Sequence, residues 1–303
     1  MELLIHPEEL SREWIRRARE NEISRLSLHP HGGKAARESL EELLRLLCDE
    51  DFRALIDELI DSGVEIGYEF HAASYLLPRE IFAEHPEYFR MNEEGERTPE
   101  GNFCFSSPDA RRIVAERAAE LAQRLYRAPD DFYFWLDDSR GGACHCDLCR
   151  GRSFADHQLD IMTMMAREIR KFRPRARMCY LAYFEALAVP TGEVGEEVFL
   201  EYAPFDRYVG DLTLEGEGGR TLSELIRVFG RERAKLLEYW FDNSLFSRWK
   251  KPPARFTPDN ERIRNEIELY REFGFESIAS FACFLGEDYV TLYGEPDLSA
   301  TVS

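Results

Sequence analysis

Short apolar runs of strand character alternate with amphipathic helical stretches along the whole chain, and this alternation limits the available folds more than any single motif. The runs are LLIH (3–6), ISRLSLH (23–29), VEIGYEFH (64–71), FYFWLD (132–137), RMCYLAYF (177–184), VFLEYA (198–203), LLEYWFD (236–242) and SIASFACF (277–284). Helix candidates between them span 8–20, 35–61, 109–127, 157–172, 221–232 and 259–273. Start signals stand at Ser107 before Pro108 and Asp109, and at Thr257 with Pro258 and Asp259. Such alternation calls for parallel strands with right-handed crossovers, and eight strands without an interrupting domain close into a (β/α)8 TIM barrel. We expect one α/β domain over residues 1–303. The rival, an open doubly wound sheet, would carry a Gly-rich turn after its first strand, and LLIHPEE has no glycine.

Two links depart from the rhythm. EALAVPTGEVGEE (185–197) is too short and too rich in Gly and Pro for a full helix. Ala72 to Pro108 is a long third βα loop holding HPEYFRMNEEGERTPEGNF, and loops of that length usually line or cover a site.

Barrels of this kind do their chemistry where strands end. Seven of the eight runs end in or next to polar residues, His6, His29, His71, Asp137 with Asp138, Tyr183 with Glu185, Glu201 with Tyr202, and Asp242 with Asn243, a polar crown on an apolar barrel. Carboxylates there suit glycosidic cleavage, which needs two carboxyl groups about 5–9 Å apart, one of them raised in pKa. Tyr75, Trp135, Tyr183, Tyr202, Trp240 and Trp249 offer flat faces on which sugar rings stack, although core packing explains such residues too. For Asp137 and Asp138 the structural alternative is capping of the turn in DDSRGG.

A net charge of -19 disfavours nucleic acid and anionic membrane surfaces as partners. No apolar run is long enough to span a bilayer, and MELLIHPEELSREW is no signal peptide, so a cytoplasmic, soluble protein is expected. Homo-oligomerisation stays open. Of seven cysteines, Cys48, Cys179 and Cys283 sit singly in apolar patterns and read as buried reduced thiols. Cys144, Cys146 and Cys149 form C-x-C-x2-C, and Cys104 on the preceding βα loop completes a four-thiolate set for structural zinc, with His145 and His157 in reserve. Free thiols, a labile disulfide and a catalytic metal are the alternatives. No organic cofactor is expected.

The stretches HAASYLLPREIFAEHPEYFRMNEEGERT, GNFCFSSPDARRIVAERA, FYFWLDDSRGGACHCDLC, YLAYFEAL, FLEYAPFDR and EYWFDNSLFSRWKKP resemble the glycosidase-like barrel catalogued as Domain of Unknown Function 4838, similar in turn to hexosaminidase and alpha-glucuronidase barrels. The resemblance implies a barrel acting on carbohydrate. In hexosaminidases of that type the fourth strand ends in an Asp-Glu pair, Glu being the acid; here Asp137-Asp138 stand at the similar place.

The leading expectation is therefore a glycoside hydrolase with a carbohydrate substrate. Asp138 is the general acid, Asp137 orients substrate or water, and Glu201 or Asp242 is the second carboxylate. His6, His29, His71, Arg140, Tyr183, Tyr202 and Trp240 bind sugar. Two alternatives accompany it: a metal-dependent hydrolase or isomerase using His6, His29 and His71 with Asp137, and a sugar-binding barrel without a competent acid.

Overall fold

A computed structural model describes residues 1–205, 213 and 215–301. The strands are β1 (Glu2–Ile5), β2 (Arg25–Leu28), β3 (Glu65–His71), β4 (Asp131–Trp135), β5 (Arg177–Ala182), β6 (Val198–Tyr202), β7 (Ala234–Glu238) and β8 (Ser277–Phe281). They lie side by side in chain order and form a closed parallel barrel, β8 returning to β1 through the pairs Glu2↔Ala279, Leu3↔Ser280 and Leu4↔Phe281. Each expected run contains or overlaps its strand. The fit has a simple cause: strands covered on both faces are apolar at nearly every position, as Phe132, Tyr133, Phe134 and Trp135 of β4 are, all of them buried. Truncating such a residue, Phe134→Ala for example, costs about 3–5 kcal/mol.

The helices are α1 (Arg12–Glu20), α2 (Ala36–Leu46), α3 (Glu50–Asp61), α4 (Ala73–Leu76), α5 (Pro108–Arg124), α6 (Phe154–Arg170), α7 (Glu217–Phe229), α8 (Asn243–Phe246), α9 (Asn260–Phe273) and α10 (Glu287–Tyr293). Ser107 works as the side-chain cap of α5, accepting from the Ala110 amide, whereas α9 starts two residues later than Thr257 suggested, with Asp259 as its cap accepting from the Arg262 amide. The single helix expected over 35–61 is two. Asp49 accepts from the Phe52 amide and starts α3 afresh, and Cys48, left in the break between α2 and α3, is exposed rather than buried. Cys179 and Cys283 are buried. Between β5 and β6 only a short 3-10 turn, Phe184–Leu187, stands where other links carry a full helix.

Two compact units form within the chain. The first comprises Met1–His29, Leu46–Tyr68 and Glu201–Ser303; the second comprises Pro30–Arg45 and Glu69–Leu200. In the second, α5 packs on α6, and the long third βα loop folds back on itself through antiparallel bridges Phe89↔Phe103 and Met91↔Arg97. Asp206 and Arg207, at the end of the FLEYAPFDR stretch, lie outside the described residues. Among the described residues no helix is long and apolar enough to cross a membrane.

Candidate active site

In the second unit, the ends of β3, β4 and β5 meet around a pocket. His71, Leu136, Asp137, Ser139, Gln158, Tyr183, Phe184 and Glu185 are among its lining residues. Asp137 is held from two directions, and one of its holders is itself braced. Its carboxylate pairs with Arg79, its backbone amide donates to Asn102 Oδ1 at 2.8 Å, and Asn102 Nδ2 in turn donates to the Gly142 carbonyl at 3.2 Å. Burial pushes the Asp137 carboxyl above the usual aspartate range, against the opposing pull of the Arg79 guanidinium. Asp138, the next residue, is exposed, and its Oδ1 accepts from the Tyr183 hydroxyl at 3.2 Å. Glu185 accepts from the Gly141 amide at 2.7 Å, which fixes the Gly-Gly turn after the two aspartates. Arg140 lies 4.3 Å from the centre of the Phe184 ring, a cation over an aromatic face.

His71 completes the group. A backbone carbonyl can only accept, so the contact of His71 Nδ1 with the Leu136 oxygen puts a proton on Nδ1 and leaves the Nε2 edge of the ring outside that bond. That edge of the ring faces Gly32: a Cβ added there would come 3.4 Å from His71 Cδ2 and 3.3 Å from Asp138 Oδ2. Glycine keeps the space between these two side chains open.

Beside the pocket, Cys104, Cys144, Cys146 and Cys149 are buried with all four sulfurs within 4.8 Å of one another. Cys104 Sγ is 3.7 Å from Cys146 Sγ and 3.9 Å from Cys149 Sγ. Zinc–sulfur bonds of ~2.3 Å give a tetrahedron with edges of about 3.8 Å, so the spacing suits one zinc ion. The Met91 amide donates to Cys144 Sγ at 3.4 Å, and Arg97 Nη1 lies 3.8 Å from the same atom. His157 is no member of the cluster: its Nε2 donates to the Cys149 carbonyl. Among the described residues this is the only group of three or more His, Cys, Asp or Glu placed to share an ion, so a metal held by His6, His29, His71 and Asp137 has no assembled ligand set.

The first unit treats its strand-end residues differently. Glu201 is fully buried and pairs with Lys235 at 3.4 Å, while Lys235 also pairs with Glu2 at 3.0 Å. Asp242 caps α8, accepting from the Ser244 and Leu245 amides. Trp240 donates from Nε1 to Glu266 of α9 at 2.6 Å, and the buried Tyr202 stacks near Phe275. All four side chains are engaged by partners within the unit: Glu201 by Lys235, Asp242 by the start of α8, Trp240 by α9 and Tyr202 by Phe275. His6 Nδ1 donates to the His29 carbonyl at 2.8 Å, and the His29 ring meets Phe281 edge-on at 4.8 Å. Glu238, at the end of β7, accepts from Tyr270 at 2.6 Å, and burial pushes its carboxyl up to about 8.

Sequence reasoning passed over Arg79, Asn102 and Gly32. Glu185 was visible at the end of the fifth run, and GNF flanks Cys104; Arg79 left no signal, because the fold of the long loop brings it to Asp137.

Closed parallel barrels with carboxylates at the strand ends define an architecture common among glycoside hydrolases. The chain belongs to the family described as Domain of unknown function (DUF4838), which matches residues 51–281. It is 29% identical over 131 residues to Beta-galactosidase BglY of Alicyclobacillus acidocaldarius subsp. acidocaldarius, a stretch covering 42% of this chain and 17% of that protein. The fold is similar to a beta-galactosidase from the psychrophilic Marinomonas ef1, with a TM-score of 0.54 at 14% identity, covering 93% of this chain and 54% of that one. It is also similar to endo-glycoceramidase II from Rhodococcus sp., with a TM-score of 0.53 at 10% identity over 93% and 72% of the two chains. At such identities the likeness is one of fold.

Proposed function

We propose that the chain is a glycoside hydrolase whose acid/base chemistry is carried where β4 and β5 end. Asp138 acts as general acid, Asp137 orients substrate or water, and Glu185 replaces Glu201 and Asp242 as the second carboxylate. Cleavage of a glycosidic bond needs a proton for the leaving oxygen and a carboxylate for the sugar carbon or for the attacking water. Asp138 is exposed and open to a ligand, and its Oδ1 accepts from the Tyr183 hydroxyl of the pocket lining. Asp137, clamped by Arg79 and Asn102, is the fixed reference point of the pair. In this reading His71, which lines the pocket, and Arg140 receive sugar hydroxyls or a uronate carboxylate.

The observation that carries this reading is that His71, Tyr183 and Glu185 line one pocket and that the Tyr183 hydroxyl donates to the neighbouring Asp138. A broad aryl-glycoside panel with wild type, Asp138→Asn and Glu185→Gln tests it. Turnover by Asp138→Asn at the wild-type rate removes the acid; saturable sugar binding with no turnover of any glycoside leaves a binding barrel instead.

We further infer a structural zinc on Cys104, Cys144, Cys146 and Cys149. Four thiolates leave no position for water, so the ion would supply rigidity and no chemistry. It would pin the third βα loop, which carries Asn102, to the loop after Asp138. Metal analysis should find one zinc per chain, lost in Cys146→Ser. A reducing compartment such as the cytoplasm suits these thiols.

A further inference from the structure

The chain has four tryptophans, and three of them, Trp14, Trp135 and Trp240, are buried. Trp249, in the loop after β7, is 65% exposed, and Phe246 three residues earlier is 60% exposed. Its backbone is unusual as well: Arg248 has φ 55° and Trp249 φ 54°, two successive large side chains in the left-handed region that such residues avoid. The turn is nevertheless firmly held. The Arg248 amide donates to the Leu245 carbonyl at 2.9 Å, the Trp249 amide to the Ser244 carbonyl at 2.7 Å, and the Ala254 amide to Ser247 Oγ at 2.9 Å. The buried Asn243 braces it, donating from Nδ2 to the Ala254 and Phe284 carbonyls at 3.1 Å each.

The charges on this loop oppose those of the protein. The chain has 58 acidic and 39 basic residues, and exposed arginines such as Arg12, Arg45 and Arg175 pair with carboxylates. Arg248, Lys250 and Arg255 are exposed and have no carboxylate partner among the described residues. Lys251 is the contrast: it pairs with Asp288 and lies 4.5 Å from the Phe284 ring centre. A rigid turn thus presents one large aromatic face and uncompensated cations to solvent, at the strand-end side where barrels bind ligands.

We propose that the loop Phe246–Arg255 is a subsite for an anionic sugar residue, bearing a carboxylate or a sulfate, stacked on Trp249 and charge-paired with Arg248 and Lys250. This deepens the carbohydrate reading above and rests on it. Aromatic faces take the C–H face of a sugar ring, and guanidinium geometry matches two oxygens of a carboxylate or sulfate. The wider field of the acidic chain repels long polyanions, so the occupant is a short or singly charged unit.

Calorimetric titration of the full chain tests this with tri-galacturonate, its fully methyl-esterified form, a sulfated carrageenan tetrasaccharide and an RNA trinucleotide. Wild type should bind a charged sugar at least ten-fold tighter than the esterified trimer, and the carboxylated and sulfated probes show which anion is preferred. Trp249→Gly should weaken that binding at least ten-fold while Tm stays level or rises, since glycine relieves the left-handed turn. The double variant Arg248→Ala/Lys250→Ala should lose the preference for charge. Equal affinity for esterified and charged sugars, wild-type binding by Trp249→Gly, a fall in its Tm, or RNA bound as tightly as the charged sugars overturns the proposal. Turnover is not part of the readout, so Trp249-dependent binding in a protein that hydrolyses nothing would remove the hydrolase and keep the subsite.

Discussion

The two units end their strands in the same residue types and put them to opposite use. In the second, Tyr183 and Glu185 line a pocket, Asp138 accepts from the Tyr183 hydroxyl, and the clamp on Asp137 comes from a loop. In the first, Glu201 is spent on Lys235, Asp242 on α8, Trp240 on Glu266 and Glu238 on Tyr270. A carboxylate at a strand tip is thus a candidate for chemistry only when it lacks a full set of partners, and burial with a fixed partner marks the structural ones.

The contrast can be broken by substitution. The largest effect belongs to Asp138→Asn, expected to lower kcat/KM by roughly 10²–10⁴-fold on any glycoside the wild type hydrolyses, with Tm unchanged. In the first unit the same measurements should give the reverse pattern, stability changing and turnover not. Glu238 comes next. Its carboxyl titrates near 8 when folded, against an ordinary value of 4.5. The folded state holds that proton longer, so this contribution to stability is complete below about 4.5 and is lost as pH rises towards 8. The slope is up to ~1.4 kcal/mol per pH unit, on the order of 3 kcal/mol in total after relaxation of the site. Urea melts of wild type and Glu238→Gln from pH 5 to 8 check it; a wild-type curve as flat as the variant's would contradict the assignment.

Glu201→Gln breaks a buried pair and should cost about 3 kcal/mol, the low end for such pairs because Lys235 keeps Glu2. Asp242→Ala is the mildest, about 1 kcal/mol for a lost cap, read as a small shift of the denaturation midpoint. If it abolished hydrolysis while leaving stability intact, the division of labour between the units would be wrong.

The barrel was legible because its strands are apolar on both faces and its helices on one, a pattern local in sequence. The break at Cys48 was not, since Asp49 had to be seen as a cap rather than as one polar residue in a helix of polar residues. Strand-end roles were half legible. Side chains alternate along a strand, so adjacent residues such as Glu201 and Tyr202 face opposite ways, and a polar tip seen in sequence does not say which side it serves. Trp240 was out of reach for another reason: its partner Glu266 lies on α9, 26 positions on. The four cysteines do converge, as C-x-C-x2-C restricts three of them and the neighbouring loop offers the fourth.

The pairing of Leu3 with Ser280 has a consequence for how the molecule is born. At ~5–20 residues per second, a ribosome needs roughly 14–55 s to make the partner that β1 awaits. For that interval one border of residues 2–5 stays unzipped, an invitation to other nascent chains. A chaperone that shelters the first strand until the last emerges would do more for yield than any added contact in the finished ring.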